Sequence, residues 1–150
     1  MFTNFENMPS LSKVCFFFQG VKITLTKRPE LKNYIQSVFK KEGKSLESIN
    51  YIFCTDNALL KINEQFLKHD FYTDIITFDL SEHNSIQAEV YISTDRVREN
   101  ATQLGVSFKS ELHRVIFHGV LHLCGYADKN KLDQKKMRQK EDFYLKKYGL

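Results

Sequence analysis

Residues 108 to 124 constrain the fold of this chain more than any other segment. Phe108, Leu112, Val115, Ile116, Phe117, Val120, Leu121 and Leu123 fall on most sides of a helix for which Ser107 is the natural cap. A helix apolar nearly all round must be central and covered by other elements. Into it are set two histidines four apart, His118 and His122. On a helix such residues lie ~40° apart in azimuth and ~6 Å apart along the axis, so their imidazoles converge on one point. Gly125 follows three residues after the second histidine and Asp128 three residues later. Glycine tolerates the left-handed conformation that ends a helix, and the chain can then swing Asp128 to the same point.

Two histidines and a carboxylate suit zinc, with a fourth position left open. Nickel, cobalt and manganese accept the same donors, since affinity order alone does not decide occupancy in cells. Three protein ligands with an open position imply catalysis, through a more acidic bound water and Lewis-acid charge on a carbonyl or phosphoryl oxygen. The spacing is that of the zincin pattern H-E-x-x-H-x-x-G-x-x-H. Here Gly119 stands at the glutamate that serves peptidases as general base, and Asp128 at the third histidine. A peptidase reading therefore loses its central group. A carboxylate third ligand also leaves the metal less electrophilic than a histidine would.

The rest of the chain reads as α+β in one domain of 150 residues. Strands are expected at Val14 to Gln19 and Val21 to Thr26, with a tight turn at Gly20, then at Ile49 to Cys54, Ile75 to Leu80 and Ala88 to Ser93. Helices are expected from Pro29 to Gly43, after an Asp56 cap, after a Thr94 cap, over the histidine segment, and over about Lys131 to Tyr148. The expected architecture is a mainly antiparallel or mixed sheet packed with helices, around a zincin-like metal-binding central helix. Thirteen Phe and seven Tyr supply core material. No apolar run reaches the ~18 residues of a membrane span, and Met1 to Ser10 lacks a signal-like pattern. Three widely spaced cysteines, Cys15, Cys54 and Cys124, suit a reducing compartment, so a cytoplasmic location is expected.

The net charge of +4 is mild, but eight basic residues against three acidic ones fall between Lys129 and Lys147. This segment is either a solvated helix face or a phosphate-attracting flank.

The stretch His118-Gly119-Val120-Leu121-His122-Leu123-Cys124-Gly125-Tyr126 resembles the H-G-x-L-H-L-x-G-Y-D-H signature of the YbeY family of metal-dependent endoribonucleases, the rRNA maturation factors. Ile62-Asn63 with Asp70 to Phe78 resembles that family's L-N-…-D-x-P-T-D-V-L-S-F segment. Ala88 to Ser93 resembles its G-D-I-x-I-S strand, and Met137 to Leu150, with Glu141, its closing helix. The resemblance covers roughly residues 46 to 150. It implies a bacterial cytoplasmic protein with one zinc ion that cleaves single-stranded RNA in maturation of the 16S rRNA 3′ end and in ribosome quality control, with the small ribosomal subunit as partner. It maps His118, His122 and Asp128 onto the metal ligands. Ala127-Asp128 stands where the family has D-H, and Leu67 where it has a substrate-facing arginine. Lys68, His69 and Arg114 are the candidates for phosphate contact, each with a plain structural alternative: a solvated loop for the first two, a salt bridge for Arg114. Glu111, one face with His118, is either an acceptor for an imidazole N–H or a helix N-terminal charge. Asp74 reads as orienting its loop, Cys124 as packing, and His83 and His113 as surface or structural residues. The competing functions are a metal-dependent hydrolase of a small molecule or peptide, and a non-catalytic ribosome-associated factor with a structural metal.

Overall fold

The computed structural model describes residues 12 to 150; Met1 to Ser10, weighed above for a signal-like pattern, lies outside them. Chain order is β1 (Val14–Phe18), α1 (Arg28–Lys41), β2 (Ser45–Cys54), α2 (Asp56–Leu67), β3 (Ile75–Asp79), β4 (Ser85–Ser93), α3 (Thr94–Leu104), α4 (Phe108–Leu123) and α5 (Lys131–Tyr148). The sheet order is β1-β2-β4-β3. β1 pairs parallel with β2 and β2 parallel with β4, while β3 and β4 form an antiparallel hairpin. The sheet is thus mixed, with parallel pairings predominating.

The strand expected at Val21 to Thr26 is absent. β1 takes β2 as its partner, in the same direction, so the chain must leave the sheet and cross over through α1. The alternation that suggested a strand is nevertheless present as burial: Leu25 is buried, Val21 and Ile23 are half-buried, and Lys22, Thr24 and Thr26 are exposed. A period of two reports one covered face, with or without a hydrogen-bonded ladder.

Two caps fall one residue before the expected ones. Thr55 and Ser93 accept from the amides of Ala58 (3.2 Å) and Arg96 (3.1 Å). Each hydroxyl satisfies an orphan donor of the first turn. Asp56 and Thr94 become first helical residues, and Asp56 is free to brace α2 against α3, accepting from Arg96 at 2.7 Å and Ser93 at 2.9 Å.

The main core lies between the sheet and α1, α4 and α5, with Phe39, Tyr51, Phe53, Ile116, Phe117 and Tyr144 among its fully buried side chains. A smaller cluster of Cys54, Leu59 and Ile76 seats α2 on the other face. Alternation along β3 serves both: Ile76 joins the smaller cluster, and Ile75 and Thr77 face α4. Gly119 is where α4 meets them. A Cβ there would come within 3.2 Å of Ile75 Cδ1 and 3.3 Å of Val90 Cγ1. Its missing side chain is the condition for the helix to approach the sheet so closely, and it sets where the flanking histidines stand.

Candidate metal centre

His118 and His122 emerge half-buried from the last two turns of α4, ring centroids 4.5 Å apart and nearly perpendicular at 84°. The helix ends as expected: Gly125 is left-handed, φ +103°, and the chain doubles back to bring Asp128 over the helix end. Asp128 Oδ2 lies 3.3 Å from His118 Nε2 and 3.2 Å from His122 Nε2. One donor atom from each residue lies within 4.8 Å of the other two. Donors about 2.0–2.1 Å from a tetrahedral ion stand roughly 3.3–3.4 Å from each other. The spacing and chemistry of the three groups therefore fit a divalent cation, and they can hold one.

Glu141 of α5 supplies what a ligating histidine needs behind it. Its buried carboxylate accepts from His118 Nδ1 at 2.6 Å, which leaves Nε2 turned to the centre. Burial opposes a charged imidazole, but the Glu141 hydrogen bond and charge, with Asp128 and Asp74, outweigh it; His118 titrates above the ordinary histidine value of 6.5. The sequence had offered Glu111 for this position. Glu111 is buried but meets Arg114 at 3.9 Å instead, and burial raises its carboxyl above the usual range. Nothing local in the sequence links Glu141 to His118, since the pairing arises from the packing of α5 on α4.

Arg114 is held by carboxylates, at 3.1 Å from Glu141 and 2.7 Å from Asp142. It fixes Glu141 and also lines a cleft of about 530 Å³, as an ion-paired guanidinium. His69 lines the opening opposite His122 and Asp128, stacked on Phe71 (5.0 Å, 21°). Lys68 is exposed and has the positive φ (56°) that caps α2. The loop they share is pinned from below by buried Asn63, whose amide donates to Phe71 O at 2.8 Å. Cys124 packs half-buried against the core, and His113 is buried between α4 and Tyr148, with Nδ1 2.7 Å from Lys109 O.

The centre lies where two clefts of about 530 and 680 Å³ meet, both lined by Asp74, His118 and Asp128. The first runs between α3, α4 and α5, the second between the 67–71 loop and β3. The Asp74 carbonyl continues the β3–β4 pairing by accepting from Ser93 N at 2.9 Å, and the Asp74 carboxylate accepts from Asn100 Nδ2 at 3.4 Å. Asp74 also faces both clefts, and burial holds its carboxyl above the usual range against the opposing charge of His118.

The ligand loop is tied at a distance. Glu42, at the end of α1, accepts from Tyr126 OH at 2.6 Å and from Tyr144 OH. Burial opposes its charge, yet the two hydroxyls and Lys140 outweigh it and keep the carboxyl below its ordinary value of 4.5. A carboxylate depressed on folding stabilises the fold above its unfolded value, and that support is lost as pH falls below about 4.5. Glu42→Gln is therefore expected to lower Tm at neutral pH while flattening its decline between about pH 4.5 and 3. Parallel Tm–pH curves for variant and parent would contradict this.

Fold and site together define an α+β protein with two histidines and a carboxylate on the side of a central helix, spaced so that they could hold a cation and open to two clefts. The family model for Endoribonuclease YbeY matches residues 19–149, and the chain belongs to that family. It is 44% identical to Endoribonuclease YbeY of Porphyromonas gingivalis over 88% of this chain and 87% of the relative. It is 54% identical to that of Flavobacterium psychrophilum over 76% and 81%, and 46% identical to that of Cytophaga hutchinsonii over 88% and 93%. A solution structure of a Thermotoga maritima protein superposes with a TM-score of 0.62 at 29% identity, covering 88% of this chain and 86% of that one.

Proposed function

We propose that this protein is a zinc-dependent endoribonuclease that cuts single-stranded RNA. The observation that carries the reading is the position of His118, His122 and Asp128 where two open clefts join. A chain substrate can enter by one cleft and leave by the other with a phosphodiester at the centre, whereas a small molecule needs only one. The family supports an RNA substrate. Its resemblance also supports the finer assignments: maturation of the 16S rRNA 3′ end, work on the small ribosomal subunit and in ribosome quality control, and a cytoplasmic location. Among the described residues no helix is long and apolar enough to cross a membrane.

His118, His122 and Asp128 would hold the cation, with zinc preferred by imidazole and carboxylate donors. Once bound, it supplies Lewis-acid charge at the phosphate and a water acidic enough to attack near neutral pH. The protein's own groups do the rest. Glu141 fixes the tautomer of His118. Asp74, with its raised proton affinity, stands beside the opening and can exchange a proton with water there. The His69–Phe71 stack offers a flat surface to a base leaving the centre, since stacking on aromatic rings is the common way to hold unpaired bases. The peptidase alternative lacks its general base at Gly119, where even a Cβ would press on Ile75 and Val90.

His122→Ala removes a donor while keeping the helix. It is expected to lose stoichiometric zinc and all measurable cleavage of a single-stranded oligoribonucleotide, yet bind that RNA within about twofold of the parent. Zinc affinity of the parent should also fall on acidification, because each imidazole must be neutral to ligate. The raised His118 value means that the fall begins above pH 6.5. Retention of cleavage by His122→Ala after exhaustive chelation would overturn the proposal.

A further inference from the structure

Helix α5 carries a second surface that the catalytic reading does not use. Lys136, Lys140, Phe143 and Lys147 stand at offsets of four, three and four residues, within about 60° of one another around the helix and along ~16 Å of its length. Met137, Glu141, Tyr144 and Leu145 form the adjoining buried face. Phe143 is 45% exposed, a large aromatic left in water although the same helix buries its neighbour Tyr144. Three ammonium groups gather at its ring: Lys41 at 4.4 Å, Lys147 at 5.9 Å and Lys140 at 6.0 Å from the centroid. A hollow of about 360 Å³ adjoins the ring, and a second of about 290 Å³, lined by Tyr144 and Lys147, shares Lys41 with it.

Among the described residues Lys140 pairs with a carboxylate, whereas Lys41, Lys136 and Lys147 make no ion pair. Glu42 is the acid nearest Lys140, at 3.5 Å, but its side chain is only 11% exposed and two tyrosine hydroxyls already occupy it. Asp142 turns away to Arg114. The crowding shows in Lys41, whose ammonium Lys147, and then Lys140, hold below the ordinary lysine range. The last turn of α1 gains from Lys40 and Lys41 against its dipole, which explains two positive charges there but neither Lys147 nor the exposed ring. A cluster of lysines around an exposed aromatic ring, with one carboxylate among four ammonium groups, has the chemistry of a single-strand nucleic-acid surface: ammonium groups for phosphates and a ring face for a base.

We propose that Lys41, Lys136, Lys140, Phe143 and Lys147 form a second binding surface for single-stranded RNA, separate from the clefts, on which a base stacks against Phe143 between lysine-bound phosphates. It rests on the RNA-substrate reading above and extends it to length: a long RNA is held at this surface while another part of it lies at the metal centre. Without an anion the lysines settle over the ring; phosphates draw them aside and free the ring face.

The test uses the zinc-supplied full chain and two RNAs, a 6-mer that fills only the clefts and a 30-mer that reaches α5. The variants are Lys41→Gln/Lys147→Gln and Phe143→Leu, all at exposed positions outside the centre. For the 30-mer, the lysine pair should raise KM roughly tenfold and reduce the slope of log affinity against log salt by ~1.4, the share of two phosphate contacts on a single strand. Phe143→Leu should raise it about fivefold or more, the loss of one stacked base. kcat, and kcat/KM for the 6-mer, should stay at parental values. Anisotropy of labelled 30-mer reads binding without cleavage. If the parent cuts neither RNA but the variants still lose affinity, the ribonuclease reading fails and the surface stands. Equal 30-mer affinity and salt slope in parent and variants overturn the surface and leave the stripe to a protein partner.

Discussion

Gly119→Glu is expected to destroy the fold rather than create a peptidase. The substitution completes the residue order H-E-x-x-H, so motif logic alone would anticipate a gained general base. The structure opposes it, and the first added atom is already tight. Cβ would lie 3.2 Å from Ile75 Cδ1 and 3.3 Å from Val90 Cγ1, both side chains packed between α4 and the sheet. The remaining atoms would carry a carboxylate into the same interface, where the nearest polar side-chain atom to the added Cβ is the Thr77 hydroxyl, 3.7 Å away, and no cation is among its closest neighbours. Overpacking costs about 1–3 kcal/mol, and a buried unpaired charge adds several more. A total above roughly 4 kcal/mol consumes most of the stability of an ordinary domain. Urea titration and near-ultraviolet circular dichroism should show a protein without a cooperative transition. Gly119→Ala, which needs its neighbours to give only a few tenths of an ångström, should keep the fold and lose about 1–3 kcal/mol. A Gly119→Glu protein that melts within a few degrees of the parent would mean that α4 does not sit on the sheet as described.

Glu141 should matter to the metal nearly as much as a ligand does. It is buried, accepts from His118 Nδ1 at 2.6 Å and is gripped by Arg114 at 3.1 Å. Outer partners of ligating histidines typically contribute 10–100-fold to metal affinity. Glu141→Gln keeps the shape and an acceptor oxygen but not the charge, so zinc affinity should fall by about tenfold. Glu141→Leu leaves Nδ1 without an acceptor and Arg114 with Asp142 and the more distant Glu111, and the loss should approach 100-fold. Competition against a chromophoric chelator measures both. A structural role alone would not shift a titration, so the metal-free proteins provide the second readout. With Glu141 neutral, the influence that offsets burial at His118 is removed, and the imidazole should titrate at lower pH than in the parent by proton NMR. Unchanged zinc affinity together with an unchanged His118 titration would show that the contact is incidental.

The two variants test different parts of one construction. Gly119 sets how close the histidine helix comes to β3 and β4. Glu141 sets how one of its histidines is turned. Glu42, through Tyr126, ties down the loop that brings the third donor. The centre is thus supported from the sheet, from α5 and from α1, and the sequence places these supports far from the ligands they serve.

How much of this could be read from the chain alone depended on whether the signal was local. The spacing of His118, His122, Gly125 and Asp128 contains its own geometry, because four residues of helix and a left-handed glycine leave few places for the aspartate to go. Asp128 accordingly lies 3.2 and 3.3 Å from the two imidazoles. Long periodic segments located the helices, and α5 occupies the expected span. Val21 to Thr26 misled because alternation records a covered face, and the choice between ladder and bare chain is made by the strand that pairs with β1. The Asp56 and Thr94 caps each missed by one residue because neighbouring side chains compete to cap one helix start, and packing of the first turn decides.

By itself the sequence determined the central helix, the three converging donors and the loss of the peptidase base, because each follows from residues close along the chain. It also determined the family resemblance, which is the order of four such local segments between about residues 46 and 150. Tertiary structure alone decided that the sheet would be largely parallel, that Glu141 rather than Glu111 would stand behind His118, that Arg114 would be neutralised by carboxylates, and that two clefts would meet at Asp128. Those outcomes depend on which elements pack together across the chain, where burial energy is shared among many possible pairings and no single stretch encodes the winner.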